Sequence, residues 1–314
     1  METQSDLERF FGYVRAFELA NLSGNWSLLE PCFTEDACHL VDDGGVLGGD
    51  DHGRAAVIEG LRDSVYRNDR RFDVRIPEIL EGPAPRGDGI WMRWALTFRR
   101  AGLPELRIEG DHLAVYAGGR IRRLEERVAP GDAERVAAYL SEHGARLRPE
   151  ASPLALPAGA DLRDLEAATA RSLVRCYAGA KSRQDAGAAL ALCSDDFVLE
   201  TPAFGTRARS RSEAAAQLAV FFRAFPDYGV ELEGIAEGPG VVATWGRARM
   251  SFRGEILGHA PTGKSADLPM FCLMRCEGAA LRSERFFFDR AELCEQIGLP
   301  VAALSEALSR LRAL

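Results

Sequence analysis

"DHLAVYAGGRIRRLEER" (111–127) reads as an alternating stretch, a Gly-Gly pair and a second alternating stretch, and "FCLMRCEGAALRSERFF" (271–287) repeats that plan 160 residues on. Alternation with a period of two marks a half-buried strand, and a glycine-bearing break between two such runs predicts a β-hairpin. The same hairpin twice in one chain points to a duplication. Working outward, both halves keep one order. In the first, "DLERFFGYVRAFELANL" (6–22) puts Leu7, Phe10, Phe11, Val14 and Phe17 on one helical stripe, and "SLLEPCFTEDACHLV" (27–41) predicts a short helix entering a strand. In the second, "LCSDDFVLE" (192–200) aligns without a gap with "CFTEDACHL" (32–40). Each half then has a helix, "RAAVIEGLRDSVYR" (54–67) or "SEAAAQLAVFFRAF" (212–225), followed by closely spaced strands. Within "GIWMRWALTF" (89–98), Ile90, Met92, Trp94, Leu96 and Phe98 alternate, which predicts one buried sheet face. Helices first and antiparallel strands afterwards make each half α+β. "RPEASPLALPAGAD" (148–161) has three prolines and no apolar period. It predicts domains over 1–148 and 162–314 joined by a linker over 149–161.

The 314 residues leave room for two ordinary domains, and the apolar fraction of 46% is that of a globular protein. A net charge of −8, with arginines interspersed among acids, argues against nucleic-acid binding, which needs clustered Lys and Arg. No apolar run approaches the roughly 20 residues of a membrane span, and "METQSDLERF" lacks the build of a signal peptide, so a cytoplasmic protein is expected. Seven cysteines without zinc-like spacing fit reduced, packed thiols. Cys272 and Cys276 supply only two soft ligands, so no metal site is expected.

The order helix-helix-strand-helix-strands resembles the nuclear transport factor 2-like (NTF2-like) superfamily, the cone-shaped fold of ketosteroid isomerase, scytalone dehydratase, limonene epoxide hydrolase and SnoaL-like polyketide cyclases. The second half carries the fuller resemblance. There "FPDYGVELEGIAEGPGVVATW" (225–245), "GEILGHAPTGK" (254–264) and "FFFDRAELCEQIGLP" (286–300) are similar to the SnoaL-like series of an FPD, a G-x-x-PTG loop and an Asp before a leucine-rich turn.

Proton transfer beside a carbonyl needs a base and an oxyanion donor inside an apolar pocket. In the first half, the resemblance to ketosteroid isomerase puts Asp111 at the position of that enzyme's protonated, oxyanion-binding Asp. Asp111 shares its strand face with Leu113 and Val115, which suits a desolvated carboxyl if that face is the inner one. The isomerase's base position falls on Val41, with Asp42 one step along and turned to the other face unless a bulge intervenes. Alternation turns His112 away from Asp111. It groups Glu126 with Leu124 as an inward acid, and Glu125 with Arg123 and Arg127 on a charged face. In the second half the same resemblance puts Tyr177 at the catalytic tyrosine, Thr201 at the base and Phe271 at the oxyanion Asp, so that mechanism is disfavoured there. The SnoaL-like resemblance offers Asp289 instead, together with His259 in the loop and Glu200 and Arg285 nearby. Asp289 also begins a capping box with Glu292, the alternative to a catalytic role. Trp94 and Trp245, which occupy matching places in their strands, are candidates for a ligand platform or for core.

These residues point to a cyclase, isomerase or dehydratase acting on an apolar, carbonyl-bearing small molecule. It would need no cofactor, because the substrate's conjugated carbonyls accept the charge. Two alternatives stay open. Epoxide opening would require Glu200, Arg285 and Asp289 to converge, and a non-catalytic binding or assembly module would require neither half to hold a complete set. Superfamily members commonly dimerise through their sheets, so an internal pair of the two halves, or a homodimer, is also expected from the resemblance.

Overall fold

A computed structural model describes residues 6–42, 49–256 and 258–304. The chain divides into two compact units, Met1–Thr169 and Ala170–Leu314. The first runs α1 (Asp6–Ser23), a tight helical turn (Trp26–Cys32), β1 (Phe33–Asp42), β2 (Asp50–His52), α2 (Arg54–Arg67), β3 (Val74–Arg86), β4 (Gly89–Arg99), β5 (Leu106–Ala117), β6 (Arg120–Val128) and α3 (Asp132–His143). Helix α4 (Ala160–Ser182) contains the boundary. The second unit continues with α5 (Ala186–Ala191), β7 (Cys193–Thr201), β8 (Thr206–Ala208), α6 (Arg211–Ala224), β9 (Gly229–Gly238), β10 (Val241–Ser251), β11 (Ser265–Glu277), β12 (Ala280–Phe287) and α7 (Arg290–Ile297). Both units are α+β.

Each unit holds one six-stranded sheet, ordered β2-β1-β6-β5-β4-β3 in the first and β8-β7-β12-β11-β10-β9 in the second. The two orders are identical once six is added to each strand number. In each, the first long strand pairs in parallel with the last (β1 with β6, β7 with β12) and the other neighbours are antiparallel. The opening hairpins are β5–β6 and β11–β12, and both carry a register shift at the same place, after Val115 and after Arg275. Gly118 and Gly119 both lie at positive φ, +56° and +79°, a turn whose twist matches that of the strands it joins and which disfavours a β-carbon.

The inner face of the first sheet is lined by Phe33, Ala37 and His39 of β1, Met92, Trp94 and Phe98 of β4, Ile108, His112 and Ala114 of β5, and Leu124 and Glu126 of β6. Helix α1 closes the core with Leu7, Phe10 and Phe11. Trp94 lies across Gly110: a β-carbon there would sit 2.5 Å from the indole, so the glycine makes room for the ring. The face expected from Ile90 to Phe98 is buried, and so are Trp91, Ala95 and Thr97 behind it. Part of that second face is covered by the start of α4. Leu165 and Ala168 pack on Val74 and Ile76, and Asp161 and Asp164 hold Arg99 at 2.6 and 2.7 Å. The first turns of α4 therefore belong to the first unit, and the units divide inside a helix, eight residues beyond the expected linker. Among the described residues, no helix is long and apolar enough to cross a membrane.

Candidate functional site

Helix α4 puts Tyr177 and Lys181 four residues apart on one face, and β12 turns Glu284 and Phe286 to the same side of the sheet. The three polar groups meet in the core of the second unit. Lys181 Nζ lies 2.8 and 2.9 Å from the two oxygens of Glu284, and the Tyr177 hydroxyl donates to Glu284 Oε2 at 2.8 Å. Lys181 is 5% exposed and Glu284 1%, so the pair is removed from water. The ammonium also lies 5.0 Å from the Tyr177 ring and 5.2 Å from that of Phe286. Cys272 adds a weak contact, with Sγ 3.6 Å from Glu284 Oε1. Burial, reinforced by the Glu284 charge, holds the Tyr177 phenol and the Cys272 thiol well above their ordinary pKa, so both stay protonated.

Lys181 forms part of the wall of a cavity of about 360 Å³. Leu199, Phe204, Leu218, Phe221, Tyr228 and Phe286 make it apolar, and Thr201, Thr206 and Gln217 add polar points. The last three form a chain, with Gln217 Nε2 2.7 Å from Thr206 Oγ1 and 3.5 Å from Thr201 Oγ1. Its size and make-up are those of a small-molecule pocket: greasy walls with a few fixed polar groups. No Asp, Glu or His is among the described residues of the wall. An ammonium carries three donors. Two face Glu284, which leaves one for a ligand.

The first unit uses the same sheet face differently. His112 Nε2 lies 2.8 Å from Glu126 Oε1, which is also 3.3 Å from His39 Nε2, while His39 Nδ1 lies 3.4 Å from Asp51. Burial opposes charge on His39, but the Glu126 and Asp51 carboxylates outweigh it and raise its pKa. Burial likewise opposes charge on Glu126, and the two imidazoles overcome it, holding that carboxyl well below the usual range. At the corresponding positions the second unit has Leu199, Cys272 and Phe286, and where it has Glu284 the first has Leu124. Among the described residues, no three His, Cys, Asp or Glu side chains converge to hold a metal ion.

The sequence-predicted residues distribute as follows. Asp111 lies half-buried on the face of β5 opposite His112, between Arg93 and Arg127 of its neighbours, away from the core that α1 closes. That corrects the placement of Asp111 in an inner pocket. Asp42 is exposed at the end of β1. Trp94 faces inward, 5.7 Å from the His112 ring, whereas Trp245 is 42% exposed on the outer face, so the two are not equivalent. Register makes Arg93 the counterpart of Trp245, since Arg93 pairs with Asp111 and Trp245 with Phe271. Glu200 and Arg285 pair with each other on the outer face at 3.0 Å. Asp289 caps α7, accepting from the amides of Ala291 and Glu292 at 2.7 and 3.2 Å. His259 pairs through its backbone with Ile256. None of Glu200, Arg285, Asp289 or His259 lines the cavity, and the convergence needed for epoxide opening does not occur. Lys181, Glu284, Gln217, Tyr228 and His39 were not legible as site residues. The available signal was a charged residue in the inward phase of an apolar stripe, at Lys181 on α4 and Glu284 on β12.

Residues 171–297 match the family model of the SnoaL-like polyketide cyclases. The second unit carries a SnoaL-like domain. No curated protein matches the chain. Among solved structures, a hypothetical protein with a ketosteroid isomerase-like fold from Catenulispora acidiphila, in complex with trimethylamine, is 18% identical over 41% of this chain and 95% of its own, with a TM-score of 0.38. An NTF2-like protein of unknown function from Burkholderia pseudomallei is 20% identical over 41% and 97%, with a TM-score of 0.36.

Proposed function

We propose that the cavity of the SnoaL-like unit binds an apolar, carbonyl-bearing small molecule and promotes acid-base chemistry at it, of the cyclase, isomerase or dehydratase kind. The observation that carries this is the buried Lys181 ammonium in the wall of a 360 Å³ apolar cavity. A ligand carbonyl oxygen accepting the third Lys181 N–H would be polarised, and negative charge developing on it during enolisation would meet a fixed positive group in a low-dielectric site. Glu284 and Tyr177 hold the ammonium in place. The match of this unit to polyketide cyclases supports a substrate with several conjugated carbonyls.

Solvent-deuterium exchange at the α-carbon of 1-phenylbutane-1,3-dione tests this. Wild-type protein accelerates exchange, and Lys181→Met reduces the acceleration at least tenfold; exchange no faster than in buffer sinks the enzymatic assignment. A second function is favoured by the absence of carboxylate or imidazole from the described wall: ligand binding without turnover. Saturable binding of the dione without exchange supports that one.

A further inference from the structure

Of the 39 basic residues in the sequence only two, Lys181 and Lys264, are lysines. A guanidinium answers a carboxylate with two parallel bonds and never gives up its proton under ordinary conditions. An amine can shed a proton and become a nucleophile. In a chain that meets nearly every other need for positive charge with arginine, the cavity wall holds a lysine.

Its surroundings suit covalent chemistry. Both Glu284 oxygens lie within 2.9 Å of Nζ, so a proton acceptor is already in contact. The Tyr177 hydroxyl steadies that carboxylate from behind. The walls beside Lys181, formed by Leu199, Tyr228 and Phe286, are apolar. The neighbouring thiol of Cys272 is kept protonated by burial and is no competitor.

We propose that Lys181 is a nucleophile that forms a Schiff base with a ketone or aldehyde held in the cavity. This rests on the cavity taking a carbonyl compound, as proposed above. Nζ passes a proton to Glu284. The amine lone pair attacks the carbonyl carbon, the π pair moves to oxygen, and a proton shifts from nitrogen to that oxygen to give the carbinolamine. Glu284 returns its proton to the hydroxyl, which leaves as water while the nitrogen lone pair forms the C=N bond. Ammonium plus carbonyl thus becomes protonated imine plus water, with charge conserved and no further reactant. The imine draws electrons from the adjacent carbon, so its C–H becomes acidic without any cofactor.

The test uses the full chain and 1-phenylbutane-1,3-dione, whose condensation with an amine gives a stable vinylogous amide. Binding is measured first by calorimetry, then adduct formation by intact mass and peptide mapping. The expected result is a single adduct on Lys181, retained in Lys264→Met and lost in Lys181→Arg, which keeps the charge but cannot condense. Mapping on the wild type stands on its own should Lys181→Arg fold poorly. Saturable binding with no adduct, or an adduct confined to Lys264 or the terminal amine, overturns the Schiff base while leaving the carbonyl cavity intact. Absence of binding overturns both.

Discussion

At the scale of single residues, Lys181 and Glu284 stand or fall together. Removing one partner of a buried pair leaves the other's charge uncompensated, at a cost of about 3–5 kcal/mol, whereas replacing both by apolar groups is far milder. Urea denaturation is therefore expected to show Lys181→Met strongly destabilised, and Lys181→Met/Glu284→Leu recovering most of the loss. A double variant destabilised by the sum of the Lys181→Met and Glu284→Leu single effects would mean that the pair makes no net interaction. His39 and Glu126 make a prediction in pH. His39 binds its proton more tightly in the fold, so its contribution is fully present below its ordinary value of 6.5 and is lost as pH rises through the raised one. Glu126 behaves oppositely, contributing above its ordinary 4.5 and losing that as pH falls through the lowered one. The stability difference between wild type and His39→Gln should be largest between these two values and shrink on either side; a flat difference across pH 4 to 9 contradicts the ion-pair cluster. Alternation grouped Glu126 with Leu124 and set His112 against Asp111, which is how the residues stand. It could not tell which of the two faces α1 closes, and that choice put Asp111 on the face opposite the His112 cluster.

Elements carry the next level. Helix α7 begins at an Asp289 side chain that accepts two backbone amides, so Asp289→Ala should cost about 1 kcal/mol in stability. Because Asp289 does not line the cavity, the same variant should bind the dione with wild-type affinity; a loss of more than threefold would give Asp289 a part in the site. The hairpins, the helix stripes and the order of elements along the chain could be read from periodicity and turn glycines, because those signals are local; the parallel pairing of β1 with β6 and β7 with β12 could not. The equivalence of Trp94 and Trp245 could not. Both sit in alternating strands, but cross-strand register, which depends on partners far along the chain, puts them on opposite faces. The cavity was equally illegible, since it is enclosed by side chains from α4, β7, α6, β11's neighbour β12 and the loop at Ile256, and no single segment announces it.

In the whole molecule, one sheet order occurs twice, and the two units place their buried charges at different positions of it. The first unit holds a His39–Glu126–His112 cluster where the second has Leu199, Phe286 and Cys272. The second holds Glu284 where the first has leucine. A substitution at one of these positions in one unit says nothing about its counterpart in the other, and a functional assignment made for the SnoaL-like unit stays with that unit. The cavity of that unit is its proposed ligand site. Calorimetric titration of 1-phenylbutane-1,3-dione into wild type and Leu218→Trp tests it most directly, since Leu218 lines the cavity and a larger ring there fills it. With melting temperature measured alongside to show that the variant is folded, saturable wild-type binding that disappears in Leu218→Trp is the predicted result. Binding unchanged by the filled cavity, or absent from the wild type, would contradict it.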